Sequence, residues 1–294
     1  MEAAQLQDWY TEEEDSGNEE EDFYYGYRTI ISHDEKGGEI YSCRALTPDD
    51  LLDPEEGDVY MQGSLHTDDV EKLRSIFRHH LRNRKNIKVY SDLKIIWDSR
   101  GKKNPAPDIS IFENVKDPEK PRASFSVEEE GASPFFVLEV VSPRYRRVDI
   151  FKKPEIYRRA GVSEYFIVDP GLEADKISYT VQGYRLSGNR YMIINPDEQG
   201  RVYSQTADVW IGASESGDQI MVWDGQTDEP VLSDSERAEQ EKEKAEQERI
   251  RAEQEKEKAE QERIRAEQEK ARADSLAEEL RQLKEKLEST GIPA

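Results

Sequence analysis

The chain has 294 residues, a formal charge of −23 and one cysteine, Cys43. A single cysteine excludes an internal disulfide framework and suits a reducing compartment. No apolar run reaches the roughly 18–20 residues that span a bilayer, and the N-terminus lacks the apolar stretch of a signal peptide, so the expectation is a cytoplasmic protein with no membrane segment.

Composition divides the sequence into three parts. Residues 1–22 hold ten acids and no base, which predicts a disordered acidic leader with little to bury. Residues 23–232 are long enough for one folded domain with its own core. Residues 233–294 are dominated by Glu, Lys, Arg, Gln and Ala and predict a helical tail. The net charge argues at first against a polyanionic ligand. Its distribution weakens that objection, because residues 74–103 hold ten Lys/Arg against two acids and residues 144–159 hold seven against two. Local field, not net charge, steers a polyanion; the same runs also suit solvated helix and strand faces.

In chain order, Phe23–Tyr27 is an aromatic cluster expected to dock on the domain, and Tyr41–Leu46 a short strand. Leu46–Pro54 reads as a helical turn with Thr47 as N-cap and Pro48 in the first position. Residues 67–83 predict an amphipathic helix with Val70, Leu73, Ile76, Phe77 and Leu81 on one face. Ile87–Val89 and Leu93–Trp97 alternate as strands, and residues 99–107 form a loop. Asp108–Phe112 is a strand that opens after a proline, and residues 113–132 read as a loop. Phe135–Val141 is apolar apart from Glu139, the pattern of a buried central strand. A helix over 149–160 and a buried strand over Tyr165–Val168 follow. Lys176–Leu186 and Arg190–Ile194 predict a hairpin, and Ala207–Ile211 and Ile220–Trp223 edge strands. One crossover helix among strands and hairpins predicts a mixed sheet in an α/β or α+β domain.

The tail is a literal repeat. The 14 residues from Ala238 to Arg251 recur identically from Ala252 to Arg265, two heptads at a time. Ala falls every seventh residue, but only Leu276, Leu280, Leu283 and Leu287 give an apolar seam. The reading is a long solvated helix, supported by i,i+4 ion pairs, whose C-terminal part makes a coiled coil and so a homo-oligomer.

Three ionisable residues occupy apolar settings, where an unpaired charge is costly. Asp108 opens one apolar run, though an Asp after Pro is also a common turn former. Glu139 sits within another, as a site residue or in a salt bridge to an arginine of the 144–147 run. Lys153 falls at about 300° on a helical projection from Ile150, among Tyr157 (about 340°), Ala160 (about 280°) and Ile156 (about 240°), whereas Lys152 falls at about 200°. Lys153 is therefore expected to face the sheet, unless its stem snorkels out past Tyr157. Two carboxylates and a lysine at strand ends can hold a divalent metal and activate water. His66, before the first helix, could reach the same place or be an ordinary surface residue.

These residues carry a family likeness. P-D-I (107–109), L-E-V-V-S-P (138–143) and R-R-x-D-x-x-x-K-x-x-x-Y-x-x-x-G-V-x-E-Y-x-x-V-D-P (146–170) resemble the "putative restriction endonuclease" family called Uma-two, formerly a domain of unknown function, in the PD-(D/E)XK nuclease superfamily. The likeness spans roughly 45–225. It implies a restriction-endonuclease-like mixed sheet flanked by helices and a Mg²⁺-dependent (or Mn²⁺-dependent) endonuclease hydrolysing phosphodiester bonds in DNA. Matched by position, Asp108 and Glu139 are the metal-binding and catalytic carboxylates. The usual motif lysine would stand at 141, where this chain has Val. Lys153 is its counterpart on the following helix, the residue that the projection also selects, and His66 resembles a histidine at the start of the first core helix. Arg144, Arg146 and Arg147 are expected to hold the nucleic-acid backbone. Pro154 departs from the pattern, because proline after the lysine requires the helix to begin near Lys153 or to bend there. The rival expectation is a catalytically inactive nuclease fold that acts as a binding scaffold through its tail.

Overall fold

The computed structural model describes residues 25–97, 103–173 and 176–289. In chain order, β1 (Gly26–His33), β2 (Glu39–Ala45) and β3 (Asp58–Tyr60) precede α1 (Ser64–His80). Next come β4 (Ile87–Tyr90), β5 (Lys94–Ile96), β6 (Ile109–Glu113), β7 (Ser124–Ser126), α2 (Val127–Glu130) and β8 (Pro134–Val140). They are followed by α3 (Lys153–Ala160), β9 (Glu164–Glu173), β10 (Lys176–Ser187), β11 (Arg190–Ile193), β12 (Val202–Ser204), β13 (Val209–Ala213), β14 (Ile220–Asp224) and α4 (Asp234–Ser289).

The fold is a mixed α/β one, built on a six-stranded sheet of order β11-β10-β9-β8-β6-β4. β8 and β9 run parallel, joined through α3, and every other pairing in that sheet is antiparallel. Alternation along β8 decides which side each residue covers. Phe136, Leu138 and Val140 face α1 and the small β12-β13-β14 sheet, together with Leu73, Ile76, Phe77, Val209 and Ile211. Val137 and Val141 face α3, with Tyr157, Val162, Tyr165 and Ile167. Full burial of each Phe, Leu or Ile in these layers is worth about 1.5–3 kcal/mol. Both faces of the central strands are covered, which is why their sequences read as near-continuous apolar runs.

Several elements differ from the sequence reading. The aromatic run near Tyr27 continues as β1, which pairs with β2 on one side and β3 on the other. The loop over 113–132 contains β7 and α2, with Phe125 fully buried against Phe112. α1 begins at Ser64, so His66 lies in its first turn. Thr47 does not cap a helix. Its hydroxyl donates to Asp50 Oδ2 (2.8 Å), and Asp50 is also held in a fork by Arg44 (2.7 and 2.9 Å). The strands expected at 207–211 and 220–223 form a sheet of their own with β12.

The helix expected over 149–160 has two geometries. Val148–Lys152 is a wide π-type turn, and regular α-helix begins at Lys153 with Pro154 in its first positions. Proline has no N–H to return and its ring crowds the carbonyl four residues back, so the wide turn just before it removes the conflict. Gly161 ends α3 at φ +80°, a left-handed position suited to glycine.

The chain divides into two units, Met1–Asp234 and Ser235–Ala294. In the second, every described side chain from Glu239 to Lys286 is exposed along one continuous helix. The acidic leader expected at 1–22 lies outside the described residues. Among the described residues no helix is long and apolar enough to cross a membrane.

Candidate functional site

Sheet register brings the two carboxylates together. Ile109 of β6 pairs with Leu138 of β8, so Asp108 stands opposite Glu139 at the same edge of the sheet. Asp108 Oδ2 accepts the N–H of Val140 at 2.7 Å, and Glu139 Oε2 accepts the N–H of Asp108 at 3.3 Å. Each side chain thus finishes the main-chain bonding of the other strand.

α3 delivers the cation from one face of that sheet. Lys153 is buried, as the projection predicts, and Lys152 points outward to Asp49. Lys153 Nζ lies 3.0 Å from Glu139 Oε2 and 2.7 Å from Asp149 Oδ1. One turn further on, the Tyr157 hydroxyl donates to Glu139 Oε1 at 2.5 Å. The partner of Glu139 is therefore the lysine and this tyrosine, not an arginine. α1 delivers His66 from the opposite face, its Nε2 3.2 Å from Asp108 Oδ2. His66 Nδ1 is buried and has no hydrogen-bond partner among the described residues.

Burial is the largest influence on every group here, and its sign follows the charge. It pushes the Glu139 carboxyl up, reinforced by the nearby charges of Asp108 and Asp149 and opposed by Lys153. It likewise raises Asp149, against the pull of Lys153. Asp108 ends below the usual carboxylate range, because His66, Lys153 and the Val140 N–H outweigh burial. Burial works to lower His66 and Lys153, but the surrounding carboxylates win and hold both above their ordinary values.

A cleft of about 770 Å³ opens on this cluster and is lined by His66, Asp108, Asp149 and Lys153. Asp92 also lines it from a turn at φ +51°. Burial in the cleft, followed by the charge of Asp108, pushes its carboxyl up to about 6. Asp92, Asp108, Glu139 and Asp149 outnumber Lys153 and His66, and Lys94, which also lines the cleft, is taken up by Asp53. An excess of hard oxygen donors in a buried place suits a divalent cation such as Mg²⁺. Asp108 Oδ1 makes no hydrogen bond among the described residues and is the most available donor atom. No three His, Cys, Asp or Glu groups converge on one point among the described residues. A protein-only shell is thus absent, which is compatible with Mg²⁺, an ion that keeps several waters and takes one or two carboxylates.

The arginines expected to hold a backbone are not equivalent. Arg144 and Arg147 are exposed, whereas Arg146 is half-buried and bonds to both oxygens of Asp169 (2.9 and 2.6 Å). Two members of the cluster had no role in the sequence reading, Asp149 and Tyr157. Both stand in the D-x-x-x-K-x-x-x-Y spacing of residues 149–157, which places all three on one helical face.

A mixed sheet that brings two carboxylates and a lysine to one edge, with a helix on each face, is the architecture of a restriction-endonuclease-like fold. The chain belongs to the Uma2 family, described as "Putative restriction endonuclease", whose model matches residues 54–213. It is also similar to the crystal structure of a protein from Anabaena variabilis ATCC 29413, described as a putative nuclease belonging to DUF820. The two share 16% identity over 52% of this chain and 80% of that one, at a TM-score of 0.39. No curated protein matches the chain.

Proposed function

We propose that the chain is a metal-dependent endonuclease that hydrolyses phosphodiester bonds in DNA. The observation that carries this reading is that Asp108 and Lys153 line a cleft and meet the buried Glu139 directly behind it, in a chain of this family. Asp108 and Glu139 would hold Mg²⁺ or Mn²⁺ through carboxylate oxygens. When bound, such an ion lowers the pKa of a coordinated water and neutralises charge on a phosphate oxygen.

The chain's own residues supply the rest. Lys153 is held protonated by its carboxylate neighbours, so its role is as a cation. Beside the cleft, its ammonium offsets the negative charge that grows on phosphorus-bound oxygens as water adds and the ester P–O bond breaks. Asp149 keeps the ammonium turned toward Glu139, and Tyr157 fixes the other oxygen of Glu139. His66 orients Asp108, and a water or ligand oxygen would satisfy its unpartnered Nδ1. Arg144 and Arg147, both exposed, would meet phosphates, contacts that carry no base specificity.

The organisation that goes with this reading is an acidic leader over 1–22, a nuclease domain over 23–232 and a tail over 233–294 that joins copies as a coiled coil. A cytoplasmic setting suits the free, exposed Cys43. The test is cleavage of supercoiled and single-stranded DNA with Mg²⁺ or Mn²⁺ by wild type, Glu139→Ala and Lys153→Ala. Cleavage by wild type alone supports the reading. Equal traces in all three would sink it in favour of a non-catalytic scaffold working through the tail.

A further inference from the structure

Two sets of elements wall the cleft. Asp108 and Lys153 belong to the sheet and α3, while Glu55, Glu56, Val59 and Tyr60 line it from β3 and the segment before it. The segment from β1 to β3 is bound to the rest of the unit in an unusual way. Among the described residues, none of this segment enters the three apolar core clusters. Side chains of the β1–β2 hairpin stay exposed on both faces, with Ile31 at 54% and Tyr41 at 63% on one and Ile30 at 41% and Ile40 at 49% on the other.

Leu46 and Leu52 are buried, and the rings of Tyr25 and Tyr60 pack on Tyr145, but many of the fastenings of this segment are polar. The Tyr145 hydroxyl accepts the N–H of Met61 (3.0 Å) and donates to the carbonyl of Tyr25 (2.9 Å), bracketing the three strands. Lys94 Nζ forms an ion pair with Asp53 Oδ1 (2.8 Å) and donates to the Pro54 carbonyl (2.7 Å). Such contacts exchange with water at small net cost, unlike a packed apolar layer. The family match starts at residue 54, so β1 and β2 lie outside it.

The wall also has a charge. Arg28 is taken up by Asp58 and Glu55 (2.5 and 2.8 Å), and Glu56 is exposed with no cation paired to it among the described residues. A cleft of about 770 Å³ between such walls is the size that encloses a small molecule or a short run of single strand. A duplex, whose major groove alone is about 12 Å wide, is large for a cleft of that volume.

We propose that β1–β3 and the segment entering α1 form a cover that admits single-stranded nucleic acid to Asp108 and Lys153 and keeps duplex out. This rests on the nuclease reading and names its substrate class. The Tyr145 hydroxyl is the latch, and Glu56 weakens binding of any strand that passes beneath it.

The test is fluorescence anisotropy of the full-length protein with an end-labelled single-stranded oligonucleotide and with its duplex, in Ca²⁺ so that binding is read without turnover. Wild type is expected to bind the single strand about tenfold or more tightly than the duplex, and Tyr145→Phe, which removes both latch bonds, to narrow that ratio by about threefold or more. Glu56→Gln is expected to tighten single-strand binding. Equal binding of both oligonucleotides, unchanged by Tyr145→Phe, overturns the cover and leaves the nuclease reading standing. Absence of binding to either oligonucleotide by any of the proteins overturns both. Should Tyr145→Phe not fold, the wild-type ratio and the exposed Glu56→Gln decide, and no preference with no tightening overturns the cover.

Discussion

Asp149 and Lys153 face one another across a single widened helical turn, with Nζ 2.7 Å from Oδ1. The turn is wide because Pro154 follows, and the same geometry lets the ammonium reach Glu139 at 3.0 Å. Asp149 is therefore a positioning group in the proposed reaction. Asp149→Asn is expected to slow single-turnover cleavage about tenfold to a hundredfold while leaving binding of the oligonucleotide unchanged. An unaltered rate would make Asp149 a structural residue only.

Removing the cation should do more harm to the fold than removing one of its partners. Lys153→Met leaves Glu139 and Asp149 buried without their counter-charge, which is expected to cost about 3–5 kcal/mol at neutral pH. If Asp108 and Glu139 take up a divalent ion, Mg²⁺ or Mn²⁺ will raise the Tm of wild type, since a ligand that binds only the folded state stabilises it by mass action. Glu139→Gln is expected to lose most of that rise. Identical shifts in the two proteins would place the ion elsewhere.

A second buried carboxylate gives a pH prediction away from the cleft. Glu164 is fully buried and accepts from Ser204 and Thr206 hydroxyls (both 2.6 Å), two main-chain N–H groups and Arg185 (2.7 Å). Burial alone would raise it, but these donors win and hold it below its ordinary value of 4.5. A depressed carboxylate binds its proton more weakly folded than unfolded, so its contribution is present above about pH 4.5 and is lost as the pH falls. Denaturant titrations are expected to show stability falling on acidification below that point, with a shallower fall in Glu164→Gln and a cost at pH 7 of about 2 kcal/mol.

The parts of the molecule legible in the sequence are those with a period. Central strands bury both faces, so Phe135–Val141 and Tyr165–Val168 announced themselves as apolar runs, and the one charge in the first run marked Glu139. Lys153 was separable from Lys152 because a projection distinguishes neighbours by about 100°. The same projection places Asp149 at about 260°, inside the same arc, but an acid on a charged segment reads as solvated until its lysine is known to be buried. β1 was missed because only Gly26 and Arg28 in it are buried, neither of them an apolar side chain that would give an amphipathic signal. Thr47 failed as a cap because Arg44, held in the neighbouring strand, claims Asp50 and fixes the turn through it. Contacts of that kind belong to the third dimension and leave no spacing to read.

The tail offers a prediction with its own readout. Leu276, Leu280 and Leu283 lie exposed on α4 at 53–58%, spaced four and three residues apart, which is the a/d pattern of a coiled coil. Upstream, the same positions are Ala and Glu, and a seam of that kind does not hold two helices together. Glu279 and Lys284 flank the Leu seam at positions that attract across a parallel pair. Self-association is therefore expected to depend on the last heptads alone. Leu280→Lys with Leu283→Lys should convert an oligomer to a monomer in sedimentation equilibrium, leave helix content by circular dichroism nearly unchanged, and leave cleavage per protomer unchanged. A wild type that is monomeric at high concentration, or a double variant that still assembles, would remove the coiled coil from this reading without touching the nuclease.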